Sequence, residues 1–242
     1  MSSHEPLGRA GPGLSVLVTR PETGAAETAR RLVAMGRTPL LAPMLRIVPL
    51  PVDLPPPGSL QAVLVTSANA LPALDGHAAL PLLAVGDGTA AKARAAGFRV
   101  VHSAGGDARA LAELAVRVGN ARGLPLLLAG QQGQGADLAR RLREAGFAVE
   151  HRDVYAARPA TALPEAARAA LCRHAVEAAL FFSPATAHAF VSVAVPLPRD
   201  AFTAVESLAI SPAVAAALAP LPWHRIRIAT APNQDELLGL LT

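Results

Sequence analysis

The sequence predicts an α/β protein with parallel sheets, arranged as two domains, and three observations lead to that fold class. The stretch Val16–Gly36 (VLVTRPETGAAETARRLVAMG) is repeated, without a gap, 110 residues later as Leu126–Gly146 (LLLAGQQGQGADLARRLREAG). Each copy contains an apolar run, a polar turn, an Ala/Arg/Leu helix pattern and a final glycine, which together indicate a strand, a turn and a helix. Strand and helix patterns also alternate along the whole chain, as they do in parallel sheets with right-handed crossovers.

The repeat continues beyond these two stretches, with differences in loop length. The later matches pair Ala62–Ser67 with Ala178–Ser183, Leu83–Gly86 with Leu208–Ser211, and Val101–Ser103 with Ile228–Thr230. We therefore expect two copies of one plan, from about Leu14 to Val118 and from about Leu124 to Thr242.

The first copy begins with a buried strand, Leu14–Thr19, and a helix, Ala25–Met35, which ends at Gly36. The extended stretch Leu40–Val48 contains Pro43, which suits an edge or connecting strand, and the proline-rich stretch Pro49–Pro57 suits a stiff linker. The remaining elements are the strand Ala62–Thr66, a short helix capped by Ser67, the strand Leu82–Val85, the helix Thr89–Ala96, the strand Phe98–His102 and the helix Ala108–Val118.

The second copy repeats this order. Ser183-Pro184 and Ser211-Pro212 each pair a capping serine with proline at the first helical position, which is a strong helix start. Its elements are the strand Leu124–Ala129, the helix Ala136–Ala145, the extended return Phe147–Tyr155, the helix Glu165–Ala175, the strands Ala179–Phe182, Leu208–Ile210 and Arg225–Ala229, and the helix Asp235–Leu241.

Two proline-containing segments, near Pro49–Pro57 and Arg158–Pro164, predict that the chain passes twice between the domains. One domain then comprises residues 1–40 and 165–242, and the other comprises residues 50–150. The crossing segments are residues 41–49 and 151–164.

Composition narrows the class of partner. Aromatic residues make up only 3% of the chain, which speaks against a nucleic-acid binder that stacks bases. The net charge is +4, and the basic residues are spread along the chain without a long basic run. This charge indicates either an anionic partner or simply an arginine-rich surface. No apolar stretch reaches 18 residues, so no membrane span is expected. The seven histidines are scattered, which predicts no metal site.

The N-terminal residues Met1–Gly13 form a polar lead-in that lacks the apolar core of a signal peptide, and we expect them to be disordered. The single cysteine, Cys172, cannot form a disulfide within the chain, which favours a reducing, cytoplasmic location. Its place in an Ala/Arg/Leu helix predicts a buried small hydrophobe.

Small polar residues follow the strands at six places, and these turns are the candidate binding residues. In doubly wound folds such turns lie at the carboxyl ends of the strands, where ligands bind, and helix N-termini there suit carboxylates or phosphates. The alternative is that each hydroxyl only caps its own helix. As a set they predict a site for a polyanion. The turns are Thr66–Asn69, Gly86–Thr89, Ser103–Asp107, Gly130–Gly133, Ser183–Thr186 and Ser211-Pro212.

Two further features leave alternatives open. Gly86–Ala91 matches a weak dinucleotide fingerprint or a tight strand-to-helix turn, and Ser211 stands at the place of Gly86 in the second copy, which argues against a duplicated cofactor site. Tyr155, the only tyrosine, ends the returning strand beside the second linker. Its phenol is either a proton donor in a cleft or a packing group.

Several stretches, in this order along the chain, resemble the uroporphyrinogen-III synthase family: Val16–Pro21, Val65–Asn69, Val85–Ala90, Val154-Tyr155, Phe182–Pro184 and Ser211–Ala217. The resemblance implies two flavodoxin-like domains joined by a two-stranded crossing, no cofactor and a monomer. It implies the substrate hydroxymethylbilane, a linear tetrapyrrole with eight carboxylates, which is closed to uroporphyrinogen III with inversion of ring D and loss of water. In the mechanism proposed for the family, the ring A hydroxyl leaves to give an azafulvene, and ring D attacks to give a spiro intermediate.

By the same resemblance, Tyr155 is the proton donor to the leaving hydroxyl, and Arg20 either pairs with a substrate carboxylate or braces the first turn. The family usually has Gly and Thr where this chain has Ser211 and Val214, and often an arginine where it has Ala129. The other implied substrate-binding residues are Ser67, Asn69, Gly86, Thr89, Gly130, Ser183 and Pro184.

Two other classes of protein compete with this interpretation. One is a non-catalytic, two-lobed cytosolic binding protein for an anionic small molecule. The other is a nucleotide-dependent enzyme that uses Gly86–Ala91, for which NAD or ATP should raise the melting temperature.

Overall fold

The computed structural model describes residues 15–242, so the predicted lead-in Met1–Gly13 and the predicted strand residue Leu14 lie outside it. Within that range there are eleven strands: β1 Ser15–Val18, β2 Thr38–Leu41, β3 Leu45–Pro49, β4 Ala62–Val65, β5 Leu82–Ala84, β6 Val101–Ser103, β7 Leu126–Gln131, β8 Val149–Pro159, β9 Val176–Phe181, β10 Glu206–Ala209 and β11 Arg225–Ile228.

The α-helices in the same range are α1 Glu22–Ala34, α2 Asp87–Ala95, α3 Ala108–Val118, α4 Ala136–Glu144, α5 Glu165–Cys172, α6 Pro184–Ala194, α7 Pro212–Leu218 and α8 Gln234–Gly239. Short 3-10 helices occupy Pro57–Ser59, Ala68–Leu74 and Arg199–Phe202. In the described part of the chain, no helix is both long and apolar enough to cross a membrane.

Contacts between Cα atoms divide the chain into two compact units. Unit 1 comprises the described residues up to Arg46 together with Arg158–Thr242, and unit 2 comprises Ile47–Ala157. The division falls inside β3 and near the end of β8.

Unit 1 is built on a five-stranded sheet with the order β11-β10-β9-β1-β2, in which every neighbouring pair is parallel. Its two innermost apolar runs, Val16–Val18 of β1 and Ala178–Phe181 of β9, are buried because both faces of the sheet are covered there. Val16 and Val18 face α1 and α8, whereas Leu17 faces α5, α6 and α7.

An aromatic cluster fills the second of these cores. Phe190 lies 5.2 Å from Phe181, 6.4 Å from Phe202 and 5.7 Å from Trp223, measured between ring centroids. The Trp223 indole N–H donates to the Leu218 carbonyl at 2.9 Å, so its one polar atom is satisfied.

Unit 2 is built on a six-stranded sheet with the order β3-β8-β7-β4-β5-β6, in which the strands from β4 to β8 pair in parallel. One face is covered by the 3-10 helix Ala68–Leu74 and by α2, and the other face by α3 and α4. Each face has its own apolar core.

The predicted repeat is confirmed by the strand order. The series β2-β1-β9-β10-β11 of unit 1 corresponds, strand for strand, to the series β8-β7-β4-β5-β6 of unit 2. Each sequence copy is divided between the two units, because β1 and β2 of the first copy join β9–β11 of the second.

Three local predictions were wrong. Leu40–Val48 is not one extended stretch: it is broken around Pro43 into β2 and β3, which belong to different sheets. The strand predicted over Phe98–His102 begins only at Val101, because Gly97 adopts a left-handed backbone (φ 96°) after α2. Cys172 is exposed at the end of α5 rather than buried, since Leu171 is the residue that faces the core.

Candidate functional site

Six of the predicted site residues lie in unit 2, at or near the carboxyl ends of four strands. Since β5, β4, β7 and β8 are consecutive and parallel in the sheet, the segments that follow β5, β4 and β7 meet at one edge, beside the late part of β8. These residues are Ser67, Asn69, Gly86, Thr89, Gly130 and Tyr155.

Ser67 and the Gly86–Thr89 turn begin two helices on the same face of this sheet. The Ser67 backbone is extended, and its hydroxyl accepts a hydrogen bond from the Asn69 N–H at 3.3 Å, so Ser67 is the predicted cap, here of a 3-10 helix. At α2 the N-cap position is Gly86, which has no side chain that could cap the helix. The first turn of this helix contains Thr89.

Gly130 lies inside β7 and is buried, opposite Asp153 of β8. A Cβ atom at Gly130 would have no neighbouring heavy atom within 4 Å. The missing side chain therefore leaves open space beside the strand, and packing does not require glycine there.

Tyr155 does not end the returning strand, because β8 continues to Pro159 and also lies beside β3. The side chain is only 4% exposed and belongs to the apolar core under the 3-10 helix Ala68–Leu74 and α2. The pairing register shifts between Gly130 and Gln131, so that Tyr155 and not Val154 stands opposite Gln131. This irregularity allows Val154 and Tyr155, although consecutive, to pack into the same core.

In unit 1 the carboxyl ends of β1 and β9 are neighbours, and they carry Arg20, Ser183 and Pro184. Ser183 caps α6 as predicted: its Oγ accepts from the Thr186 N–H at 3.2 Å and lies 2.7 Å from the Thr186 hydroxyl oxygen. Pro184 is the first helical residue. Ser183 is partly buried, whereas Pro184 is exposed.

The Arg20 guanidinium is held by side chains of unit 1. Its Nη1 donates to Gln234 Oε1 at 2.7 Å and to Thr28 Oγ1 at 3.2 Å, and its Cζ lies 4.4 Å from the centre of the Phe182 ring. Burial lowers the pKa of Arg20, and the nearby Glu27 raises it by less. No carboxylate of the described residues lies within ion-pair distance of Arg20.

Ser211, Val214 and Ala129 are the three departures from the family pattern. The prediction that the Ser211 side chain caps α7 was wrong: it makes no hydrogen bond to the helix, which begins with the Ser211 backbone and Pro212. Val214 and Ala129 are fully buried in the cores of unit 1 and unit 2. An arginine at Ala129 would place a charge in the core of unit 2.

Unit 2 also has a cavity of about 610 Å³ that was not predicted from the sequence. It is lined by the turn after β7 and by His151, Arg152 and Asp153, among others. His151 Nε2 lies 3.8 Å from Asp153 Oδ1, and the Gly133 N–H donates to Asp153 Oδ2 at 3.2 Å. Alternation along a strand puts His151 and Asp153 on one face and could have indicated the pair. No group of three metal-ligating side chains occurs among residues 15–242.

The fold and these turns define a class: α/β proteins with parallel sheets whose carboxyl edges carry helix starts suited to an anionic ligand. A sequence model of the family described as uroporphyrinogen-III synthase HemD matches residues 26–239. The chain therefore belongs to the uroporphyrinogen-III synthase family. Its activity is that of a lyase of tetrapyrrole biosynthesis, and the match does not favour the binding-protein alternative.

One solved structure supports this fold, and a second is similar to the chain over most of its length. The crystal structure of uroporphyrinogen-III synthetase from Helicobacter pylori superposes with a TM-score of 0.62 at 19% identity, over 85% of this chain and 92% of that one. A mutant uroporphyrinogen III synthase from the thermophilic bacterium Thermus thermophilus is 20% identical over 95% of this chain and 98% of its own, with a TM-score of 0.49. No curated protein matches the chain.

Proposed function

We propose that this lyase binds hydroxymethylbilane through the strand-end turns of its two sheets and that Tyr155 donates a proton to the leaving hydroxyl. The reaction is cyclisation to uroporphyrinogen III, with inversion of ring D and loss of water, and it needs no cofactor. The observation that carries the reaction is the family match over residues 26–239.

The strand-end turns suit a substrate with eight carboxylates. Helix N-termini present N–H donors and the positive end of a dipole, and both favour negative charge. The start of α2, where the cap position is glycine, and the starts of the 3-10 helix Ala68–Leu74 and of α6 are the groups proposed to bind carboxylates. Ser67, Asn69, Thr89 and Ser183 add side-chain hydrogen bonds. Gly86 and Gly130 leave space beside the strand ends, since a Cβ atom at either would have no neighbouring heavy atom within 4 Å, and Pro184 begins α6 beside Ser183.

Positioning matters more here than strong acids and bases, since the bilane also closes unassisted, to the wrong isomer. Holding ring A and ring D in one geometry converts that closure into a directed one. Loss of the ring A hydroxyl still requires a proton, and a phenol is a competent donor. The pairing irregularity at Gln131 turns Tyr155 toward the face of unit 2 that also carries the helices begun at Ser67 and Gly86.

The finer architecture is also part of the proposal: two flavodoxin-like domains, residues 1–40 with 165–242 and residues 50–150, joined by residues 41–49 and 151–164 as a two-stranded crossing. Two backbone hydrogen bonds support the crossing, from the Leu50 N–H to the Val154 carbonyl (3.0 Å) and from the Ala160 N–H to the Met44 carbonyl (2.9 Å). In both bonds the residue numbers sum to 204, which is the pattern of an antiparallel pair. We also propose a cytoplasmic monomer, for which light scattering should give a mass near 24.7 kDa.

Steady-state kinetics on hydroxymethylbilane test the binding residues. We expect Ser67→Ala and Ser183→Ala each to raise KM by roughly 10- to 100-fold, the effect of one lost hydrogen bond to a charged group. Ser192→Ala is the matched control, because its hydroxyl donates to the His188 carbonyl on the exposed side of α6, away from the strand-end turn. An unchanged KM in both variants, with circular dichroism like that of the wild type, would mean that these hydroxyls only cap their helices.

A further inference from the structure

Arg20 is the point at which three elements of unit 1 meet. Its guanidinium contacts Thr28 of α1, Gln234 of α8 and Phe182, the residue that follows β9. The Thr28 hydroxyl is fully buried and donates in turn to the Gly24 carbonyl at 3.2 Å. The partly buried guanidinium is therefore held by a network of side chains.

Helix α1 has no side chain at the point where the Arg20 guanidinium lies against it, because that residue is Gly24. A Cβ atom at Gly24 would lie 2.6 Å from Arg20 Cζ, a distance at which the guanidinium would have to move. Gly24 is the third residue of α1, and glycine is a poor helix former compared with alanine. The close approach of Arg20 explains why glycine occupies this position.

The internal repeat shows that the strand-turn-helix unit does not need this arginine. Adding 110 to the residue numbers places Gly130 at the position of Arg20, Gln134 at that of Gly24 and Leu138 at that of Thr28. The second copy forms the same strand and helix, β7 and α4, without the guanidinium. The network is therefore specific to unit 1.

We propose that Arg20 is a positioning residue, which fixes the turn Phe182–Ser183 at the start of α6 and is not itself a ligand of the substrate. The guanidinium lies on the Phe182 ring, and Phe182 is bonded directly to Ser183, the cap of α6. The two hydrogen bonds to Thr28 and Gln234 fix where the guanidinium lies. The inference rests on the proposed role of Ser183 in binding substrate.

The substitution Arg20→Lys distinguishes a positioning role of Arg20 from direct binding of the substrate. An arginine that acts only as a charge toward a carboxylate is replaced well by lysine. An arginine that stacks on a ring while donating two fixed hydrogen bonds is not, because the ammonium is a compact point charge without a planar face. Arg20→Lys and Arg20→Met should therefore behave alike.

The test measures KM and kcat for hydroxymethylbilane in Arg20→Lys, Arg20→Met and Gln234→Met. We expect KM to rise roughly tenfold in both Arg20 variants, because each loses one cation–π contact together with its hydrogen bonds. In Gln234→Met, KM should also rise, but by less. In all three variants, kcat should stay within about twofold of the wild-type value. Arg31→Met is the matched control, since Arg31 joins α1 to Asp235 of α8 at 2.5 Å on the exposed side and does not contact Phe182. If KM rises in Arg20→Met but is retained in Arg20→Lys, or is unchanged in Gln234→Met, the proposal is overturned.

Hydrogen exchange of the ligand-free protein gives an independent result. The Thr186 N–H, which donates to Ser183 Oγ, should exchange faster in the Arg20 variants and at the wild-type rate in Arg31→Met. Unchanged exchange across residues 182–187 would also overturn the proposal. Because hydrogen exchange is measured without substrate, it separates the two ways in which the account could fail. If Arg20 does not position the turn, exchange is unchanged in the Arg20 variants. If Ser183 does not bind substrate, exchange is faster in these variants but KM is unchanged.

Discussion

Gly24→Ala tests the packing around Arg20 most sharply, because its effect on stability should change sign with the residue at position 20. In the wild type the new methyl group would lie 2.6 Å from Arg20 Cζ, so the guanidinium must leave its place. In an Arg20→Ala background the same methyl group meets no guanidinium.

The magnitudes follow from the contacts involved. Replacing glycine by alanine in a helix stabilises by about 0.5–1 kcal/mol when nothing collides. Displacing the guanidinium from Thr28 and Gln234 costs about 1.5–3 kcal/mol, as expected for hydrogen bonds to a charged group. We therefore expect Gly24→Ala to destabilise the wild type by about 1–2 kcal/mol and to stabilise Arg20→Ala by about 0.5–1 kcal/mol.

Urea unfolding of the wild type, Gly24→Ala, Arg20→Ala and the double variant measures the effect of Gly24→Ala with and without the guanidinium. Arg31→Ala serves as a control background, because it removes an exposed arginine of α1, the helix that contains Gly24. In the Arg31→Ala background, Gly24→Ala should destabilise as it does in the wild type. If Gly24→Ala stabilises every background equally, the guanidinium does not lie against Gly24 and the positioning argument fails.

Three further predictions concern other parts of the molecule. Tyr155→Phe should lower kcat on the order of 10²-fold without abolishing turnover, because it removes a general acid, and unchanged kinetics would exclude that role. Phe190→Ala should lower the free energy of unfolding by about 3–5 kcal/mol, because Phe190 is fully buried among aromatic rings. Val33→Ala, at a side chain that is 62% exposed, should change it by less than about 0.5 kcal/mol, and equal losses would contradict the assigned core. Asp107 caps α3, and hydrogen bonds from the backbone N–H of Ala110 and, to a lesser extent, of Arg109 lower its pKa. The stabilising effect of the Asp107 carboxylate is therefore complete above the ordinary carboxyl pKa and is lost as the pH falls through the lowered pKa. The melting temperature of the wild type should therefore fall relative to that of Asp107→Asn as the pH is lowered from about 6 to about 2, and a constant difference would contradict the capping role.

The two copies of one strand-and-helix plan were predictable because they depend on local pattern and repetition. Val16–Gly36 and Leu126–Gly146 each carry a complete strand, turn and helix, and the same order of strands follows in both copies. The helix starts at Ser67 and Ser183 were predictable for the same reason, since the capping serine contacts a residue only two or three positions away.

What the sequence did not predict depends on residues far apart in the chain. The contact between Arg20 and Gln234 joins positions 214 residues apart, so no local pattern could indicate that Arg20 is braced from α8. The orientation of Tyr155 depends on an irregularity in the pairing of β7 with β8, and alternation alone would have put Val154 and Tyr155 on opposite faces.

Pro43 was predicted to lie within one edge or connecting strand, but it separates two strands that belong to different sheets. It allows the chain to leave β2 after Leu41 and to begin β3 at Leu45 in another sheet, and that division also sets where the chain leaves unit 1. Periodicity describes residues 40–48 as one extended run, because the choice of partner strand is a tertiary property.

Isomer analysis of the product tests the proposed reaction most directly. Hydroxymethylbilane is incubated with and without the protein, the products are oxidised, and the uroporphyrins are separated. Without catalysis the bilane closes to isomer I, and with the protein we expect mostly isomer III. If a sample with the circular dichroism of a folded α/β protein gives only isomer I, the account of this chain as a uroporphyrinogen-III synthase is contradicted.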